Sequence, residues 1–124
     1  MKIRDPRINR ERDEKVIAVV RRFLDERFTA DEFVFNPIVV IPTYDEWGPH
    51  ATGELYLRIL IIYDGDQKNL DVRWTGELIG QVREELLDQD IEEWPNFSWI
   101  PKSEWPWLER RERRHTVAMV YESA

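Results

Sequence analysis

From Leu55 to Tyr63 the chain reads LYLRILIIY, apolar or aromatic at every position except Arg58. A run of this length, rich in β-branched and aromatic side chains and punctuated by Gly53 and Gly65, predicts a strand covered on one face and partly covered on the other. The period of two places Leu55, Leu57, Ile59, Ile61 and Tyr63 on one face and Glu54, Tyr56, Arg58, Leu60 and Ile62 on the other; the first set makes the better core face. After Asp64-Gly65-Asp66, the residues Leu70, Val72 and Trp74 alternate with Asp71 and Arg73, which predicts the return strand of an antiparallel hairpin.

Two stretches carry helical spacing instead. Val16, Ile17, Val20, Phe23, Leu24 and Phe28 recur every three or four residues, with Arg12, Lys15, Arg22 and Glu26 expected toward water. Asp5 followed by Pro6, or Asp13, would start this helix. Leu78, Ile79, Val82, Leu86 and Leu87 form a second stripe, capped by Thr75, and the spacing of Gly76 and Gly80 predicts close approach to a sheet. Further strands are expected at Phe33 to Ile41, at Phe97 to Ile100 and at Thr116 to Tyr121. Pro37 demands an edge or a bulge in the first of these. Ser103 would cap a short helix running through Leu108 into RRERR.

The resulting order, α-β-β-β-α-β-β, predicts an α+β two-layer sandwich: one mostly antiparallel sheet of four to five strands with two main helices on one face. The other face then has only loops, the tryptophan segment or a second subunit to cover it, and Leu60 and Ile62 with Val34 and Val40 left exposed there would predict a homodimer.

Length confines these elements to a single domain over residues 1–124, with residues 1–8 expected as a flexible basic arm. With 42% hydrophobic residues the chain is expected to fold. It has no cysteine, which excludes disulfides, thiolate metal sites and cysteine nucleophiles. No apolar run approaches membrane-spanning length and the charged start lacks a secretory apolar segment, so a cytoplasmic location and no membrane partner are expected. The net charge of −7 is unevenly spread. Residues 1–28 carry nine Lys or Arg against six Asp or Glu, residues 29–108 five against sixteen, and residues 109–124 four against three. An acidic middle between basic ends disfavours nucleic acid as a partner and favours basic termini lying against the acidic body.

Candidate chemistry is sparse. Asp64 and Asp66, with Asp71 as a third carboxylate, could hold a divalent cation against phosphate oxygens at the end of a rigid strand. In those residues alone the chain resembles the Asp-x-Asp of phosphatases and the acidic pair of nucleotidyltransferases; the phosphatase pattern needs a hydroxyl residue shortly after the second Asp, and Gln67 and Lys68 stand there. Asp-Gly is also a strong turn signal, and turn use is the preferred reading. Ser98, Ser103 and Ser123 lie in no nucleophile elbow, and His115 sits among arginines.

Aromatic residues offer a different chemistry. Trp94, Trp99, Trp105 and Trp107 fall within a short segment broken by prolines at 95, 101 and 106, and the long loop of residues 42–53 gathers Tyr44, Asp45, Trp47 and His50. Indoles bury large apolar areas, so core packing competes with ligand binding for each of them. The reading taken forward is a non-enzymatic interaction module, without a cofactor, that binds a protein or small ligand through Tyr44, Trp47, His50, Trp99, Trp105 and Trp107. The alternative is a small metal-dependent phosphoryl-transfer or phosphoester enzyme using the Asp-Gly-Asp carboxylates.

Overall fold

The computed structural model describes residues 5–122. Helix α1 (Arg10–Arg27) is followed by strands β1 (Phe33–Tyr44) and β2 (Leu55–Gly65), helix α2 (Val72–Asp88), strand β3 (Trp94–Pro101), helix α3 (Trp105–His115) and the short strand β4 (Val120–Tyr121). The four strands form one sheet in the order β3-β2-β1-β4. β1 runs antiparallel to β2 and to β4, whereas β3 runs parallel to β2. The architecture is α+β, with helices packed on a mixed four-stranded sheet.

The parallel pairing explains the main departure from the expected element order. A strand cannot return beside its predecessor in the same direction without a crossover, and α2 is that crossover. The expected return strand at residues 70–74 therefore belongs to a turn and to the first helical turn. Asp71 is the N-cap, its carboxylate accepting the Arg73 backbone N–H at 2.9 Å. Leu70 and Trp74 are four residues apart, a spacing that a helical turn satisfies as well as strand alternation does. Thr75 does not cap this helix; its hydroxyl donates to the Val72 carbonyl. The α1 start is also set by a side-chain cap, at Asn9 rather than Asp5 or Asp13, since the Asn9 side chain accepts from the Arg12 N–H.

One face of the sheet carries the larger core. Val16, Val20 and Leu24 of α1 and Leu78, Val82 and Leu86 of α2 cover Leu57, Ile59, Ile61 and Tyr63, the face of β2 expected to be buried. On β1 the same face is served by Phe33 and Phe35, then by Ile38 and Val40. The change from odd to even numbers is a bulge: Phe35 pairs with Tyr63, but Ile38 with Ile61, around the cis Asn36-Pro37 peptide. Pro37 thus occupies the kind of irregularity that its missing donor requires. Gly65 ends β2 opposite Phe33, where any Cβ would overlap the Phe33 ring and the Glu32 carbonyl.

The second face is covered as well. Val39, Ile41, Leu60 and Ile62 pack beneath Trp105 of α3, joined by Leu108, Met119 and Tyr121. The ground for expecting a homodimer through this face is therefore removed: α3 covers Leu60 and Ile62, and the bulge turns Val40 to the other side. Only Val34 of that expected set is exposed. Ser103 lies in the 3-10 turn Lys102–Glu104 and makes no capping bond to α3, whose first turn holds Pro106 instead. Among the described residues no helix is long and apolar enough to cross a membrane.

Of the expected basic arm, residues 1–4 lie outside the described residues. Asp5, Pro6 and Arg7 make contacts. Asp5 accepts from the Arg7 side chain at 2.7 Å, the Arg7 guanidinium lies 5.2 Å from the Tyr44 ring centre, and Arg12 donates to the Pro6 and Arg7 carbonyls. Arg12, expected toward water, is consequently buried.

Candidate functional site

The six aromatic and imidazole side chains singled out from the sequence do not converge. Trp99 is half-buried on the α1/α2 side, its ring 6.3 Å from those of Phe35 and Trp74. Trp105 is buried on the opposite side, 6.1 Å from the Tyr121 ring. The sheet separates them, so they cannot line one groove. Tyr44 is half-buried beneath Arg7, while Trp47 and His50 are exposed at the tip of the β1–β2 connection and Trp47 is 90% accessible. Trp107 projects from α3, with Arg111 5.6 Å from its ring.

The β1–β2 connection is ordered from within by Asp45. Its carboxylate accepts from the backbone N–H and hydroxyl of Thr52, and backbone bonds join Asp45 to Glu54 and to Gly53. Gly53 takes a positive φ of 72°, which a glycine adopts without penalty. The strands extend further into this loop than expected, β1 as far as Tyr44 opposite Leu55. Asp45 and Thr52 are thereby held beside the start of β3.

The carboxylates of the turn are engaged locally. Asp66 accepts the Lys68 N–H at 3.0 Å and caps the short turn Gln67–Asn69; Asp71 caps α2. Asp64 is exposed and stands 3.8 Å from the Lys102 ammonium. Among the described residues no cluster of three or more His, Cys, Asp or Glu is arranged to hold a metal ion.

What the fold does bring together is a groove of about 1090 Å³ at the end of the sheet where β2 and β3 begin. It is lined by Asp45, Thr52 and Glu54 of the loop, by Arg83 of α2 and Glu92, and by Tyr56, Trp94 and Asn96 of the strands. Trp94 is 55% accessible, and the Arg83 guanidinium lies 4.8 Å from its ring centre. Arg83 also donates to the Glu92 carbonyl, which fixes the guanidinium in place. Glu93 lies at the rim, 3.4 Å from Arg12. Four carboxylates against the single guanidinium of Arg83 give the groove an acidic character. β3 ends the sheet order, so its outer edge has no strand partner among the described residues, and Pro95 interrupts its donors.

Trp94 was visible in the sequence as one of the clustered tryptophans. Its partner Arg83 sits eleven residues earlier on a helix, and only the α2 crossover brings the two together. Tyr56 shows the same dependence: as a residue of the non-core face of β2 it carried no signal of its own. Beside this geometry the comparisons add no relative: no family model, no curated protein and no solved structure matches the chain.

Proposed function

We propose that the protein is a non-enzymatic interaction module, acting in the cytoplasm, that binds a segment of a partner protein or a small ligand in the groove between the β1–β2 loop and the start of β3. The observation that carries this reading is the convergence of Asp45 and Thr52 with Trp94 and Asn96 on one hollow. It joins the two regions, long loop and tryptophan-rich segment, whose composition suggested binding. The groove is concave, has an accessible indole to anchor a ligand, and surrounds it with carboxylates and amide groups that fix orientation. Its charge favours a cationic ligand, such as an extended peptide bearing Lys or Arg, which can run beside the open edge of β3.

The test uses fluorescence anisotropy with labelled hexapeptides of basic, neutral and acidic composition. Basic peptides containing an aromatic residue are expected to bind saturably, and Trp94→Ala to weaken that binding by about tenfold, as loss of an aromatic anchor does. Binding that ignores Trp94→Ala, or a preference for acidic peptides, would sink the proposal.

A further inference from the structure

The outward side of α3 has a character unlike the rest of the surface. Trp107, Arg110, Arg111, Arg114 and His115 are spaced by three, four, seven and eight residues from the first, the positions that share one helical face. They surround a shallow hollow of about 310 Å³. All five are exposed. The helix's own acids are committed elsewhere: Glu112 chelates Arg58 at 2.7 and 3.1 Å, and Glu109 accepts from the Tyr121 hydroxyl at 2.6 Å and from Arg113 at 3.1 Å. Among the described residues, Arg110, Arg111 and Arg114 make no ion pair. In a chain with 25 acidic residues against 18 Lys and Arg, three unpaired guanidinium groups around one hollow stand out against the prevailing charge.

Favourable placement of cations at a helix C-terminus accounts for Arg113, Arg114 and His115. It does not account for Arg110 and Arg111 in the body of the helix, nor for an accessible tryptophan among them. Three guanidinium groups exceed what one carboxylate neutralises and suit a doubly charged phosphate, whose oxygens match the planar fork of arginine. Trp107 is 60% accessible and offers a ring on which a base can stack, next to the Arg111 guanidinium. The hollow is at the small end of ligand sites, which run from about 300 to 1,000 Å³. The strongly acidic span of residues 29–108 repels an anion in proportion to its charge, so it opposes a nucleotide or a short strand end less than a long polyanion.

We infer that this face of α3 is a binding site for a nucleoside phosphate, the phosphate held by Arg110, Arg111 and Arg114 and the base stacked on Trp107. The nucleotide can be free or the 5′-phosphorylated end of a single strand, since both present the same chemistry. The site lies apart from the acidic groove and does not depend on it.

Calorimetric titration of the full chain at low salt, with ADP, pyrophosphate, a 5′-phosphorylated oligothymidylate and its unphosphorylated form, tests the site. ADP is expected to bind saturably. The double variant Arg110→Gln/Arg114→Gln should weaken ADP by about tenfold or more through loss of charge-assisted bonds. Trp107→Leu should weaken ADP while leaving pyrophosphate unchanged. Tighter binding of the phosphorylated oligonucleotide than of ADP, lost without its phosphate, assigns the site to strand ends; the reverse order assigns it to free nucleotides. Trp94→Ala should bind ADP as the parent does, which separates this site from the groove. The inference is overturned if ADP does not saturate, if the double Gln variant binds it equally, or if an oligoglutamate peptide binds as tightly as ADP, which would mark a general surface for acidic polypeptides.

Discussion

Asp13 on α1 and Glu112 on α3 are both buried carboxylates beside an arginine, one belonging to each helical layer, yet the two pairs are built differently. Glu112 presents both oxygens to the Arg58 guanidinium, tying α3 to the middle of the sheet, and the ion pair raises the Arg58 pKa. Asp13 offers one oxygen to its sequence neighbour Arg12 at 3.0 Å, while its second oxygen has no hydrogen-bond partner among the described residues. Burial raises the Asp13 pKa to about 6 despite the opposing pull of Arg12, with Glu93 pushing in the same direction as burial. A buried charge is thus held by the geometry of its pairing and not by the mere presence of a counterion. The larger core has the less satisfied charge; the smaller core depends more heavily on its ion pair.

Arg58→Ala probes that dependence most strongly. It leaves Glu112 without its partner beneath α3 and is expected to cost about 1.5–3 kcal/mol, the range for hydrogen bonds to charged groups, because the pair is only partly screened by solvent. Urea unfolding measures the loss. Arg58→Met, which keeps the packing of the side-chain stem, should lose nearly as much if the bidentate pair is what holds α3, and much less if packing is. Equal stability of Arg58→Ala and the parent protein would show that the smaller core holds α3 unaided.

For Asp13 the sign runs the other way. A carboxyl whose folded pKa lies near 6, against 3.8 unfolded, binds its proton more tightly in the native state, so stability falls as pH rises between about 4 and 6. Asp13→Asn removes that titration. The variant's stability relative to the parent should therefore improve across this window by up to about 3 kcal/mol and level off above it. Denaturant titrations of both proteins at several pH values give the difference curve. A flat curve would mean that the second oxygen of Asp13 is solvated in solution, and the contrast between the two carboxylates would disappear.

The periodicity of the chain carried much of the fold, both long helices and the core face of β2, and Pro37 added the choice of an edge or a bulge, of which the bulge is found. It failed at Leu70–Trp74, where a short alternating run fits a strand and a helical turn equally, and where the tie is broken by β3 lying parallel to β2. The second helical layer was legible as a short helix running into RRERR, but not its place over the sheet. Leu60 and Ile62 showed that a second face was apolar, with the tryptophan segment among the candidates to cover it, but nothing local to them singles out Trp105. The groove was half legible. The loop and the tryptophan segment could be named from composition, whereas the meeting of Trp94 with Arg83 depends on tertiary placement. Arg58 was read as a lone charge in an apolar strand; its role becomes visible only with Glu112 opposite, 54 residues later.

The smallest expected effect provides the baseline against which both carboxylates are judged. Gly76 and Gly80 of α2 were expected to let the helix approach the sheet closely. Both are instead exposed, and a Cβ at either position would meet no atom within 4 Å outside its own helical neighbourhood. The approach to the sheet is made by Leu78 and Val82 on the other side of the same helix. With no contact to gain or lose, Gly80→Ala acts only through backbone entropy and is expected to stabilise by about 0.5–1 kcal/mol. Thermal unfolding should show the gain at every pH between 4 and 8, without the slope of Asp13→Asn, because no titrating group is involved. A destabilised Gly80→Ala protein would mean that this side of α2 is covered in solution, by another part of the chain or by a partner, and would move attention from the two buried pairs to that surface.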